Sequence, residues 1–221
     1  MLGIGRVKRP LAISAAGLAA ASLIALWVHG GLGQTSKDPP ALSNAIGGPF
    51  QLTGADGQSV SDSQFRGKWL LVYFGYTHCP DICPTTLAEI SQTLSILGDE
   101  AARIQPLFIS IDPERDTPQI VGEYVKAFDD RIIGLTGTPK QIAAAAKAYR
   151  VFYAKQEDGG AGNYLMQHTA FVYVMGPDGH YVTLLSPLEG QTPDVMASRL
   201  RELISLTQTG QTSPRGATPP Q

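Results

Sequence analysis

Two cysteines, the only ones in a chain of 221 residues, fall within Gly75-Tyr76-Thr77-His78-Cys79-Pro80-Asp81-Ile82-Cys83-Pro84. Thiols this close can bond to each other, share one soft metal ion, or move between those states. Each is followed by proline, which pushes the preceding residue out of the α region. Cys79 and Cys83 are therefore both expected outside a helix, with Cys83 at the cap of a helix beginning at Pro84. The positive end of that helix would favour Cys83 as a thiolate, the form that acts as nucleophile and ligand. The plainer reading is a structural disulfide, but closing so small a loop removes little chain entropy.

A metal site needs further ligands, and the chain has 4 histidines. His29 ends an apolar run and reads as an interfacial residue. His180 follows Asp178-Gly179 and reads as a solvated turn histidine. His78 adjoins Cys79, where a supporting role competes with ligation. His168 stands at the mouth of the apolar run 169–175, and its spacing alone reads as a structural histidine. Met166 shares its face by the two-residue period of a strand and reads as core filler.

The elements that must position these residues follow from periodicity. Short apolar runs at 69–74, 107–111, 132–135, 169–175 and 181–185 read as buried strands. Between them Leu87, Ile90, Leu94 and Leu97, then Val121, Tyr124, Val125 and Phe128, repeat at helical spacing. Thr117-Pro118, Thr138-Pro139 and Thr192-Pro193 each place a capping hydroxyl before a proline, marking three helix starts. Gly176-Pro177-Asp178-Gly179 is a hairpin turn between the last two strands, and Ala55-Asp56-Gly57 predicts another. A parallel strand, a cysteine loop, a helix and a closing antiparallel hairpin make an α/β, thioredoxin-like mixed sheet flanked by helices.

The charged segment Asp112-Pro113-Glu114-Arg115-Asp116 follows a strand, where loops commonly build sites. Either Asp116 or Thr117 caps the next helix, or Asp112, Glu114, Arg115 and Asp116 form a partner-docking surface.

Net charge is −2 and no basic stripe follows the first nine residues, which excludes a nucleic-acid partner. Arg6, Lys8 and Arg9 precede an uncharged run from Leu11 to Val28, about 27 Å as a helix against roughly 30 Å of hydrocarbon. Its length exceeds a secretory signal core, and Gly31-Leu32-Gly33 is a poor cleavage site, so an uncleaved anchor is expected. The charge asymmetry places 1–9 in the cytoplasm, 10–29 as a transmembrane anchor and the rest outside. Residues 30–44 read as a flexible tether, 45–206 as one domain and 207–221 as a disordered tail. A bacterial inner membrane, with the domain facing the periplasm, is the expected location.

Taken together, the cysteine segment through Thr85-Thr86-Leu87, Asp112-Pro113-Glu114-Arg115-Asp116-Thr117-Pro118, and His168-Thr169 opening a strand that ends in Gly176-Pro177-Asp178-Gly179 resemble the Sco/SenC family. The resemblance covers roughly 45–206 and also the single anchor. It implies a thioredoxin-fold copper chaperone that helps load the binuclear copper centre of cytochrome c oxidase. It also implies Cys79, Cys83 and His168 as ligands of Cu(I), Cu(II) or both. The implied partners are the copper-binding subunit of the oxidase and other periplasmic copper carriers or thioredoxin-like proteins. Soft thiolates suit copper, and zinc is the competing ion. The family often has an acid just before the histidine, where this chain has Gln167. The rival reading is a tethered thiol-disulfide oxidoreductase that reduces the oxidase subunit's cysteines; against it, redox loops usually place two residues between the cysteines. A thiol peroxidase has no distinguishing residue here.

Overall fold

In the computed structural model, which describes residues 46–157, 164–186 and 192–208, β1 (Gln51–Gly54) and β2 (Ser59–Ser61) form the expected antiparallel hairpin. Gly57, at φ +77, supplies the left-handed conformation of the turn between them. Then β3 (Trp69–Gly75), α1 (Ile82–Leu97), β4 (Ile104–Ser110), α2 (Pro118–Lys126) and β5 (Ile133–Thr136) build two crossovers that leave β3, β4 and β5 parallel and adjacent. After α3 (Pro139–Ala148) the chain makes a separate hairpin of β6 (Tyr153–Glu157) and β7 (Tyr164–His168). It returns to the main sheet through β8 (Val172–Met175) and β9 (Tyr181–Leu185), and α4 (Pro193–Gln208) follows.

The main sheet has the order β2-β1-β5-β4-β3-β8-β9, while β6 and β7 pair only with each other. Every residue of β3 is buried, which explains why its sequence is continuously apolar instead of alternating. The two-residue period still sorts its side chains. Tyr73 meets Phe108, whereas Phe74 meets Tyr149 and Tyr173. Each fully buried Leu or Phe along this strand contributes about 1.5–3 kcal/mol, so the segment that ends at the cysteine loop is firmly held.

Pro118 and Pro139 open their helices as expected, with the Thr117 and Thr138 side chains accepting from the backbone N–H groups of Ile120 and Gln141. At α4 the chain likewise enters the helix at Pro193.

Two expectations are corrected. The first concerns α1, which begins at Ile82, so Cys83 lies inside its first turn and not outside the helix. A proline anywhere in the first turn removes no intrahelical bond, and Pro84 therefore does not force the helix to start at itself. The second concerns the run 169–175, which is not one strand: His168 ends β7 in the small sheet, and β8 starts only at Val172. α4 ends at Gln208, beside the expected domain limit at 206.

Among the described residues no helix is long and apolar enough to cross a membrane. The anchor expected at 10–29, the tether at 30–44 and the tail beyond 208 lie outside the described residues.

Candidate metal centre

The sheet delivers the thiols through one loop. β3 ends at Gly75, residues 76–81 turn, and α1 starts at Ile82. A helix start leaves N–H groups without intrahelical partners. The N-cap residue, Asp81, makes no side-chain cap bond; instead the Cys83 N–H donates to Cys79 Sγ at 3.4 Å. A sulfur thus takes the place usually filled by a capping oxygen. Negative charge at that position is favoured by the helix dipole.

Cys83 sits behind Cys79, fully buried, while Cys79 retains 9% of its surface. Both are free thiols. The approach of Cys83 to the sheet depends on Gly75: a Cβ there would lie 2.8 Å from Cys83 Sγ and 2.8 Å from Phe108 Cε2. The Tyr73 hydroxyl donates to Cys83 Sγ at 3.6 Å. Burial pushes the Tyr73 phenol far up, so it remains a donor.

The two sulfurs are electrostatically unequal. A hydrogen bond from Cys83, with further ones from the N–H groups of Asp81 and Cys83, holds Cys79 well below the usual thiol range against the opposing effect of burial. Its partnership with Cys79, then burial, raise Cys83. The thiolate is therefore Cys79, not Cys83 as helix position alone implied. Cys83 keeps the proton because it donates to Cys79 and, after that, because it is the more deeply desolvated of the pair.

His168 arrives from the β6–β7 hairpin. Its Nδ1 lies 3.0 Å from the carbonyl oxygen of Thr169, which can only accept, so Nδ1 carries a proton and Nε2 is left to face the sulfurs. Nε2 is 3.5 Å from Cys83 Sγ. The rings of Tyr73 and Tyr76 meet the imidazole edge-on, with centroids 6.2 and 5.9 Å away. The ligand-capable atoms of Cys79, Cys83 and His168 all lie within 4.8 Å of one another, the single such group among the described residues. Cys79 and His168 border a cleft of about 330 Å³ lined also by Tyr76, Pro80, Ile82, Leu165 and Met166, with Cys83 behind it. Met166 is buried, as a core residue would be, and still forms part of that wall. Gln167 is exposed at the rim.

The other described histidines stand apart from the sulfurs. His78 has a half-exposed ring, 3.0 Å from Thr77 Oγ1 and 3.9 Å from Asp116. His180 is exposed in its turn, as expected. His29 lies outside the described residues.

The charged segment before α2 corrects the docking-surface reading. Asp112 and Asp116 are each 1% exposed. Asp116 accepts from Thr77 N at 3.0 Å, Thr77 Oγ1 at 2.6 Å and Ser110 Oγ at 2.6 Å, which fixes the entry of the cysteine loop. Thr117, not Asp116, caps α2. Asp112 pairs with Arg115 and accepts from the Tyr164 hydroxyl. Glu114 alone faces solvent broadly, and it pairs with Lys155. Sequence reasoning missed Tyr73, Gly75, Tyr76 and Tyr164; only their nearness to the thiols or to His168 along the chain signalled them.

A family model described as SCO1/SenC matches residues 38–205. The chain is 46% identical over 147 residues to Protein SCO1 homolog 1, mitochondrial, of Arabidopsis thaliana, covering 66% of this chain and 44% of that protein. It spans about half the length of the curated relatives it matches. It resembles the solved structure of Bradyrhizobium japonicum ScoI with copper bound, with TM-score 0.66 and 45% identity, over 72% of this chain and 99% of that one. It also resembles BsSco, described as a member of the Sco family of cytochrome c oxidase assembly proteins with a disulfide switch. There the TM-score is 0.55 and the identity 27%, over 76% of this chain and 97% of that one.

Proposed function

Because the chain belongs to the SCO1/SenC family, we propose that it is a membrane-tethered copper chaperone that delivers copper to the binuclear copper centre of cytochrome c oxidase and helps assemble it. Its ligands are Cys79, Cys83 and His168. The observation that carries this reading is the convergence of two thiols and one imidazole within 4.8 Å.

The donor set fits the ion. Two sulfurs and one imidazole favour Cu(I) and tolerate Cu(II). Two thiolates leave a Cu(I) complex with one net negative charge and neutralise Cu(II), so neither state burdens a site at the protein surface. Metal binding would release the proton of Cys83. Three ligands also leave copper coordinatively open, which suits a cargo that must pass to another protein. Pro80 and Leu165, both exposed beside the cleft, give the rim apolar surface on which a protein partner such as the oxidase's copper-binding subunit could rest. The basic residues before the apolar run 11–28 support tethering in a bacterial inner membrane with the domain in the periplasm.

A second reading is favoured by the unequal thiols. As a reductase, the Cys79 thiolate would attack one sulfur of a partner disulfide and release the other as thiolate. Cys83 would then lose its proton and attack Cys79, releasing the partner's second thiolate. Two electrons pass from the dithiol to the partner.

Copper titration of the full chain against a competing chelator separates the readings. His168→Ala weakens copper binding strongly under the chaperone reading. It leaves both copper binding and thiol-exchange rates near those of the wild type if the protein acts only as a reductase.

A further inference from the structure

The hairpin that carries His168 is not hydrogen-bonded into the main sheet. Two strands alone are marginal in water, so something else must hold this imidazole against the thiols. The grip centres on Tyr164, at the start of β7. Its backbone carbonyl accepts from Arg115 Nη1 at 3.0 Å, its ring lies 3.6 Å beneath the Arg115 guanidinium, and its hydroxyl donates to Asp112 Oδ1 at 2.7 Å. Arg115 Nε donates in turn to Asp112 Oδ2. Lys155 on β6 adds an ion pair to Glu114.

We propose that Arg115 and Asp112 are positioning residues of the copper site, acting through Tyr164 to fix the β6–β7 hairpin and thereby the His168 ring. The inference rests on the reading of Cys79, Cys83 and His168 as ligands. Three physical points carry it. Tyr164, Met166 and His168 share one face of β7 by its two-residue period, so fixing the first constrains the last. Asp112 is 1% exposed, so its pairing is charge-assisted and shielded from water, unlike a surface ion pair of little value. The same short segment also holds the thiols, since Asp116 binds Thr77 by backbone and hydroxyl. One loop between β4 and α2 thus grips both halves of a ligand set that the chain order keeps far apart.

The test uses the full chain with Arg115→Ala and Tyr164→Phe, each alone and combined with His168→Ala. Arg115→Ala is expected to weaken copper binding by about 10- to 100-fold, the usual cost of losing support behind a ligand. Tyr164→Phe, which keeps the stacked ring, should weaken it less. In the His168→Ala background, Arg115→Ala should change affinity by less than about twofold, because the group it acts through is gone. A loss of equal size in both backgrounds, or none in the wild-type background, overturns the inference.

A metal-free arm separates its failure from failure of the copper reading. By NMR, Arg115→Ala should abolish the contacts of the His168 ring with Tyr73 and Tyr76 while preserving those between Tyr73 and Phe108. Persistence of the His168 contacts overturns the inference whether or not copper binds. If Arg115→Ala also loses the Tyr73–Phe108 contacts, and so the fold, Tyr164→Phe decides: a displaced His168 ring supports the clamp, an unmoved one overturns it.

Discussion

His168 Nε2 lies 3.5 Å from Cys83 Sγ although 85 positions separate the two residues in the chain. Neither residue is placed by the other. Cys83 is set by α1 and by the lack of a side chain at Gly75, His168 by a hairpin outside the main sheet. Their meeting is a product of the fold, and it makes the site sensitive to changes that touch neither residue.

Gly75→Ala is the sharpest such change. The new methyl would stand 2.8 Å from Cys83 Sγ and from Phe108, so helix, ring or strand must shift. Overpacking of this kind costs about 1–3 kcal/mol. Denaturant unfolding should show that loss, and copper affinity should fall with it. Unchanged midpoint and affinity would refute the close approach.

The unequal thiols predict a pH dependence. Cys79 is held low, so its thiolate persists as pH falls through the range where an ordinary thiol is already protonated. Iodoacetamide should therefore alkylate Cys79 at pH 5 nearly as fast as at pH 8. Buried Cys83, raised in pKa, should stay unmodified in the native protein. In Cys83→Ala the chief cause of the depression is removed, and the rate at Cys79 should become steeply pH-dependent. Equal modification of both cysteines, or an ordinary thiol profile at Cys79, would contradict this.

Asp116→Ala should destabilise the domain by about 3 kcal/mol or more. It strands the buried Ser110 hydroxyl and the Thr77 N–H that donate to the carboxylate. Asp116→Asn retains one acceptor oxygen and should cost less. Unfolding curves of the two variants check the order, and equal small effects would contradict the inward role of this aspartate.

Tyr73→Phe removes one hydrogen bond to Cys83 Sγ and leaves the ring packed. Losing about 1 kcal/mol of support for the reduced dithiol should lower the potential of the Cys79–Cys83 disulfide by about 20 mV. Equilibration with glutathione measures it. A shift toward a higher potential would mean that the hydroxyl does not favour the reduced pair.

Much of this arrangement was legible because local rules decide it. The strand runs, the threonine-proline helix starts and the two Asp-Gly turns fall where propensity and capping put them. Cys79 and Cys83 announced themselves by spacing. What was hidden depends on long-range partners. The β6–β7 hairpin does not stand out as alternating strands. His168 runs into the apolar stretch 169–175 without a visible break, so the sequence does not show that residues 169–171 separate β7 from a shorter β8. The proposed ligand role of His168 comes from family resemblance and not from spacing. Asp112, Arg115 and Asp116 looked like surface because charge is usually solvated, yet their partners, Tyr164 and Thr77, lie far away in sequence. Helix position alone points to Cys83 as the thiolate, whereas the hydrogen bond between the two sulfurs, and then burial, leave the proton on Cys83.

The most direct test of the central claim is the absorption and spin-resonance spectrum of the full chain loaded with Cu(II), compared with His168→Ala and His78→Ala. The account predicts a sulfur-to-copper charge-transfer band and nitrogen coupling in the wild type, with the coupling lost in His168→Ala and unchanged in His78→Ala. A spectrum without the sulfur band, or nitrogen coupling that survives His168→Ala, would contradict it.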